Sequence, residues 1–262
     1  MPRRTPPKAP PKAPPKREAK PPDEWLSRAL ARAGVMPLAE AEKAIKEGRV
    51  RLGTRVVRQP LAMVRPGEPI FVDGHRVDTH PVTRCLMFHK PAGVVTSTRD
   101  DDAQGTVFQR LYAVMPFELQ RFTWHAVGRL DRDTTGLLLF TNDERLVAHA
   151  TSPDTHLDRR YVAQVQGTAT EAKLEPLRRG ITLEDGPARP ARARVREDGQ
   201  VELTITEGRF HQVKKMLAHV GLPVMKLHRE ALGTLEVDVT EGQYRELQPE
   251  EIEAKLGFKP RG

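Results

Sequence analysis

One stretch constrains the fold of this chain more than any other, the segment His125–Asp143, which reads HAVGRLDRDTTGLLLFTND. A charged turn bounded by Gly128 and Gly136 precedes the apolar run Leu137–Phe140, and a helix-start signal follows it. A short apolar run between turn residues predicts a buried strand. The turn would then hold Asp131 in a fixed place, because it is attached to the core. Taken alone, however, a loop aspartate more often caps a turn than takes part in chemistry.

The composition indicates a globular protein with 30% charged residues and room for one larger and one smaller domain in 262 residues. No apolar run approaches the roughly 18 residues of a membrane span, so we expect no membrane association. The one cysteine, Cys85, lies in an apolar run and has no internal disulfide partner, which favours a core residue and a cytoplasmic location. The histidines lack metal-ligand spacing.

Positive charge is concentrated at the start of the chain. The whole chain has 43 Lys and Arg against 35 Asp and Glu, a net charge of +8, and residues 1–22 hold seven of the basic residues and one Glu. This proline-rich segment repeats PPKA and predicts a disordered basic tail. It would either attract RNA phosphates or serve as a solubilising extension. Any RNA contact elsewhere must come from local patches.

Residues 23–74 predict a small helical and hairpin domain, and residues 75–84 a linker to a larger domain over 85–262. Apolar residues at helical spacing predict two helices, the second over Leu38–Glu47. An alternating hairpin that turns at Gly53-Thr54 follows them. The hairpin carries a cluster of one sign, which favours phosphate binding over a merely solvated face. That cluster comprises Arg49, Arg51, Arg55 and Arg58.

The larger domain predicts several further strands. Cys85–Lys90, Val94–Ser97 and Arg159–Val165 read as strands, and the last places Tyr161 among apolar neighbours, where a core tyrosine is the ordinary interpretation. A further alternating segment carries Arg192, Arg194 and Arg196, which predicts a strand with a wholly basic face.

A helix is predicted to begin near Glu207 and to run to about Val220. Its spacing places Phe210, Val213 and Leu217 in the core, and His211 together with Lys214 on an adjacent face.

Three segments of the small domain resemble the alpha-L motif, the S-four-like RNA-binding fold of ribosomal proteins. They are LARAGV (Leu30–Val35), AEKAIKEGRVRLGTRVV (Ala41–Val57) and VRPGEPIFVDG (Val64–Gly74).

Four segments of the larger domain resemble successive motifs of the RsuA family of ribosomal-RNA pseudouridine synthases. They are KPAGVVTST (Lys90–Thr98), GRLDRDTTGLLLFTND (Gly128–Asp143), RRYVAQV (Arg159–Val165) and EGRFHQVKKMLAHVGLPVMKLHRE (Glu207–Glu230). The EGR-aromatic-HQVK and LHRE patterns are most similar to the small-subunit branch.

This resemblance implies isomerisation of uridine in rRNA, with Asp131 as the nucleophile, Tyr161 stacking on the uracil and Lys214 pairing with Asp131. Whether Asp131 attacks ribose or base stays open. Asp133 is a rival carboxylate, to which we assign a role in holding the turn. RNA contacts are expected from Arg129, which would hold or replace the extruded nucleotide, and from three further sets. These are the hairpin cluster, the pair Arg192 and Arg194, and the pair Arg209 and His211.

The expected architecture is α+β, with a mostly antiparallel central sheet flanked by helices and a cleft lined by the three catalytic residues. No metal or organic cofactor is implied, and we expect a monomer whose partner is ribosomal RNA or an assembling subunit. A large-subunit rRNA target and a non-catalytic RNA-binding assembly factor are the alternatives.

Overall fold

A computed structural model describes residues 24–65, 68–77, 82–97 and 105–261 of the chain. The prediction of a disordered basic tail over residues 1–22 lies outside the described residues, as does residue 23.

Eight α-helices are found in the described part of the chain. They are α1 (Leu26–Arg32), α2 (Leu38–Glu47), α3 (Val107–Val114), α4 (Phe117–Gln120), α5 (Glu144–Thr151), α6 (Glu171–Arg179), α7 (Gln212–His219) and α8 (Pro249–Leu256).

The strands fall into two groups along the chain. The first group is β1 (Glu24–Trp25), β2 (Val50–Leu52), β3 (Arg55–Val57), β4 (Met63–Val64), β5 (Ile70–Val72) and β6 (His75–Val77). The second is β7 (Cys85–Lys90), β8 (His125–Val127), β9 (Thr134–Thr141), β10 (Arg159–Val165), β11 (Ile181–Leu183), β12 (Gly186–Ala188), β13 (Arg192–Val195), β14 (Val201–Ile205), β15 (Val224–Leu232), β16 (Leu235–Glu236) and β17 (Tyr244–Glu246).

The first group packs with α1 and α2 around a core of its own. Its four-stranded sheet has the order β3-β2-β5-β6, and the predicted inward residues Val50 and Leu52 are buried. The predicted helix Leu38–Glu47 is confirmed, and Gly48 ends it in the left-handed conformation that glycine adopts readily (φ 79°). Strand β6 occupies residues that we assigned to the linker, because it pairs with β5. The division into domains stays a prediction.

The second group forms a nine-stranded sheet with the order β13-β14-β10-β15-β9-β7-β17, to which β8 and β16 are added at β9 and β15. Among the strand pairs described in this sheet, β9 with β15 is parallel and the others are antiparallel. The mixture of helices with a mostly antiparallel sheet is the α+β arrangement that we expected.

The centre of this sheet is buried on both faces, which explains why Leu137–Phe140 is continuously apolar. Leu138 and Phe140 pack into one core, whereas Leu137 and Leu139 pack into another on the opposite face. Neighbouring β7 alternates in the same way, and Cys85 is fully buried, as predicted.

Two local predictions were wrong. Val94–Ser97 is not a strand and makes only an isolated bridge between Val95 and Thr106. Strand β9 begins at Thr134, earlier than the apolar run suggested, because its first residues pair with β15. Helix α6 was not predicted, since Pro176 inside it obscures the helical pattern.

Candidate active site

A cleft of about 560 Å³ opens beside the sheet where the loop before β9 meets β10, β15 and the start of α7. Asp131, Tyr161 and Lys214, the three residues that we predicted to act together, all line it. They come from segments that are far apart in sequence, so the fold itself brings them together.

The Asp131 carboxylate lies between two basic side chains. Lys214 Nζ is 3.3 Å from one oxygen and His211 Nε2 is 3.3 Å from the other. The Asp131 side chain is 26% exposed and lines the cleft, so the carboxylate is accessible from it. The predicted pairing of Asp131 with Lys214 is therefore present, and His211 is a second partner that we had assigned only to RNA contact.

The rival carboxylate, Asp133, holds Lys214 from outside the cleft. Its Oδ1 accepts a hydrogen bond from Lys214 Nζ at 2.6 Å, and this bond holds the pKa of the Asp133 carboxyl below its usual value. The Asp133 side chain is 70% exposed and does not line the cleft. The role of Asp133 in holding the turn stays a prediction. Its carboxylate fixes the lysine, and Asp131 is the acid that faces the cleft.

Tyr161 forms part of the wall of the cleft from the middle of β10. Only 8% of it is exposed, and its cross-strand neighbour on β15 is Arg229. Arg229 is 3% exposed and donates from Nε to the Leu137 carbonyl at 2.7 Å, while its Nη2 has no hydrogen-bond partner among the described residues. Sequence reasoning did not single out Arg229, which lines the same cleft.

The loop that carries Asp131 is supported from below by Lys90, at the end of β7. Lys90 is fully buried, and its ammonium donates to the carbonyls of Pro91, Arg132 and Thr134 at 2.9, 3.1 and 2.9 Å. Burial lowers the pKa of Lys90 to about 8.

Thr96 provides a second support for this loop. Its hydroxyl donates to the Leu130 carbonyl at 2.9 Å and accepts from the Leu130 amide at 3.2 Å. We missed both supports, although Lys90 and Thr96 lie within the KPAGVVTST motif that signalled them.

The depressed pKa of Lys90 predicts a pH dependence of folding. Between pH 8 and 10.5 the unfolded chain holds the Lys90 proton more tightly than the folded protein, so the contribution of Lys90 to stability rises with pH in that window. From pH 7 to 9.5 the free energy of unfolding of the wild type should rise relative to Lys90→Met by on the order of 2 kcal/mol.

Urea denaturation of both proteins at the two pH values measures this difference. Lys226→Met, which replaces an exposed lysine of β15, is the control and should track the wild type. A constant difference between wild type and Lys90→Met across this range would contradict the prediction.

The start of α7 differs from the prediction. The helix begins at Gln212, and His211 before it has a positive φ of 54°, which a non-glycine residue rarely adopts. The buried side chain of Gln212 accepts from the Arg209 amide at 3.0 Å and donates to Glu207 at 2.5 Å. Gln212 therefore occupies the inward position, and Phe210, which we placed in the core, is 72% exposed.

The predicted RNA-binding arginines differ in how free they are. Arg129 is exposed at the boundary between the main cleft and a second cleft lined by Trp124 and His125. Arg209 is held by Asp185 and by the carbonyls of Gly186 and Pro187, so it anchors the turn before α7.

The predicted wholly basic face of β13 is wrong, because acidic side chains from other segments lie along it. Arg192 pairs with Asp158 at 2.5 Å, Arg194 with Glu202 at 2.7 Å and Arg196 with Glu230 at 3.2 Å. These acids lie outside β13, two of them 34 residues from their arginines, so the strand alone could not reveal them.

The hairpin cluster is partly neutralised as well. Arg49 pairs with Asp73 at 2.5 Å, Arg51 lies 5.0 Å from the Phe71 ring centre, and Arg58 donates to the Lys46 carbonyl at 3.2 Å. Arg55 is exposed.

Two further features are absent from the part of the chain that the structure describes. No group of three or more potential metal ligands was found there. Nor does any described helix combine the length and apolarity that a membrane crossing requires.

Comparison with known proteins assigns this chain to a family. Residues 84–219, which include the Asp131 loop and α7, match the family model described as RNA pseudouridylate synthase. The chain belongs to this family, and it is an isomerase.

The relatives narrow the family to the RsuA type, as the motifs predicted. The chain is 38% identical over 218 residues to the ribosomal small subunit pseudouridine synthase A of Escherichia coli strain K12, covering 82% of this chain and 92% of that protein. It is 36% identical over 236 residues to the ribosomal large subunit pseudouridine synthase B of Bacillus subtilis strain 168, covering 87% and 94%. A crystal structure of a pseudouridylate synthase, 33% identical, superposes with a TM-score of 0.61 and covers 88% of this chain and 99% of its own.

Proposed function

We propose that this protein isomerises a uridine of ribosomal RNA to pseudouridine and that Asp131 is its nucleophile. The observation that carries this assignment is the Asp131 carboxylate, which opens to the cleft while Lys214 and His211 stand 3.3 Å away. A carboxylate fixed in this way is a suitable nucleophile, and isomerisation needs no redox step.

In the reaction, the bond between N1 of uracil and C1′ of ribose breaks and a bond between C5 and C1′ forms. The hydrogen at C5 leaves as a proton, and N1 gains a proton, so the product has the same composition as the substrate. Asp131 would bond transiently to either the sugar or the base, and both routes are compatible with its position.

The target nucleotide must leave its stack to enter the cleft, at a cost of a few kcal/mol. Stacking on an aromatic side chain returns about 1–3 kcal/mol, and Tyr161 is the tyrosine that lines the cleft. Arg229 and Thr134 also line this cleft. Their buried atoms Nη2 and Oγ1 have no hydrogen-bond partner among the described residues. A pyrimidine offers the complementary donors and acceptors. We therefore assign Tyr161 and Lys214 to the catalytic machinery together with Asp131.

RNA outside the cleft would contact Arg129, which is exposed at its edge. We propose that residues 23–74 are an alpha-L RNA-binding domain, joined by the segment 75–84 to the catalytic domain over 85–262. Its two helices and hairpin sheet support this assignment, and Arg55 is its most open predicted contact. The other members of the hairpin cluster, together with Arg192, Arg194 and Arg209, would have to exchange present partners for phosphates.

The small-subunit 16S rRNA is the target that we favour, because the EGR-aromatic-HQVK and LHRE patterns carry the resemblance to that branch. A 23S rRNA target is the second candidate, since relatives of both kinds match at similar identity. We propose that one chain acts alone in the cytoplasm on rRNA or an assembling subunit, because Asp131, Tyr161 and Lys214 of a single chain line one cleft.

Mapping pseudouridines by carbodiimide treatment and reverse transcription in rRNA from cells with and without the gene tests this proposal. We expect one carbodiimide stop in 16S rRNA to disappear without the gene and to return when the purified protein is added to 16S rRNA or to 30S particles. A lost stop in 23S rRNA would move the target to the large subunit. Unchanged stops alongside a defect in subunit assembly would support the non-catalytic assembly factor instead.

A further inference from the structure

The turn before α7 places an aromatic side chain in an unusual position. Phe210 is 72% exposed, yet it lines the mouth of the catalytic cleft. Exposed phenylalanines cost hydrophobic free energy, and one fixed beside a functional cleft calls for a partner.

The conformation of Phe210 is set by its neighbours. The buried Gln212 side chain ties the turn to Glu207 and to the Arg209 amide, and His211 takes the left-handed conformation. As a result the Phe210 ring lies flat on the His211 ring, with centres 3.8 Å apart and planes 20° from parallel.

His211 lies between the Phe210 ring and the Asp131 carboxylate. His211 contacts Asp131 through Nε2 at 3.3 Å, so Phe210 lies one ring layer beyond the group that touches the acid. Lys215 Nζ lies over the Phe210 ring, 5.7 Å from its centre. His211 therefore stacks on the ring, and an ammonium group lies over it.

We propose that Phe210, supported by His211, is a stacking platform for a nucleobase that neighbours the target uridine in the RNA. An aromatic ring with an ammonium group over it matches a base and its phosphate better than an aliphatic side chain, because the Lys215 ammonium can move to the phosphate when the base stacks on the ring. The platform rests on the proposed function and adds a binding residue outside the pocket for the target base. Such a residue selects the RNA segment that enters, because it engages the strand next to the extruded nucleotide.

Kinetics with a fragment of rRNA that contains the mapped uridine tests the platform. Phe210→Leu keeps an apolar side chain but removes the aromatic face, and it should raise KM on the order of 10-fold while changing kcat little. Phe210→Tyr retains the face and should behave as the wild type. Phe117→Leu is the matched control, since Phe117 is 83% exposed and does not line the cleft.

A binding measurement reports stacking directly. In the Asp131→Asn background, 2-aminopurine replaces in turn the nucleotide on either side of the target uridine, and its fluorescence should be quenched at one of these positions. Phe210→Leu should abolish the quenching, and Phe117→Leu should not.

The outcomes separate the two proposals. An active wild type in which Phe210→Leu matches Phe117→Leu in KM, or in which neither position is quenched, overturns the platform alone. A wild-type protein that forms no pseudouridine in any rRNA overturns the proposed function. If 2-aminopurine is then still quenched and Phe210→Leu abolishes the quenching, the platform stands as an RNA-binding element. Should Phe210→Leu fold poorly, the presence or absence of quenching in the Asp131→Asn protein, in which Phe210 is unchanged, decides.

Discussion

Asp131→Asn should abolish pseudouridine formation while the protein stays folded and still binds RNA. The amide has nearly the same shape as the carboxylate but cannot act as the nucleophile, so we expect the rate to fall on the order of 10⁴-fold or more. The fold should tolerate the change because Lys214 keeps its shorter contact with Asp133, at 2.6 Å. Tritium release from rRNA labelled at carbon 5 of uridine measures the activity, and filter retention measures binding.

The matched control is Asp133→Asn. Asp133 lies two residues away in the same loop, carries the same charge and contacts the same lysine, but it is outside the cleft. Its loss should lower activity by no more than about 10-fold, because it only steadies Lys214. If Asp133→Asn were inactive and Asp131→Asn active, the two carboxylates would have to exchange roles.

Gly136→Ala should destabilise the protein severely. Gly136 lies in β9 with a φ of 107°, between Lys90 on one side and Arg229 on the other. A Cβ atom there would be 2.2 Å from the carbonyl oxygen of Arg229, which is backbone and cannot rotate away. The central strands would have to separate, so we expect a loss of more than about 4 kcal/mol in the free energy of unfolding and a fall in Tm of roughly 10 °C or more.

Gly167→Ala separates the steric clash from the backbone conformation. Gly167 also has a positive φ, 84°, but no atom lies within 4 Å of the position of its Cβ. This variant should lose only about 1–2 kcal/mol, the ordinary cost of alanine in that conformation. Circular dichroism melts of both variants measure the difference, and similar Tm values would show that the sheet yields more easily than its geometry implies.

The sequence predicted those elements whose signal is local. β7, β10 and α2 have the predicted bounds because apolar residues or helical spacing cover each of them from end to end. The pairing of Asp131 with Lys214 followed from the family resemblance rather than from any spacing, since 83 residues separate the two.

Three features of the site could not be read from local pattern. Phe210 was placed in the core because helical spacing was extended through His211, where the backbone turns left-handed. The acidic partners of the arginines on β13 come from other segments, and only the strand order brings them close. Lys90 ends a strand, where a lysine ordinarily reaches solvent, and two of the three carbonyls that satisfy its buried ammonium come from a loop more than 40 residues away.

The parallel pairing of β9 with β15 has a consequence for synthesis of the chain. Thr134, just after the Asp131 loop, is paired with Leu227 in this parallel ladder, and the two residues are 93 positions apart in the sequence. Contacts that join such remote segments form late, because the intervening polypeptide must be ordered first. A nascent chain that has left the ribosome only as far as β14 therefore contains Asp131 but not yet Lys214, its partner in the folded protein. The site is complete only after nearly the whole chain has been synthesised.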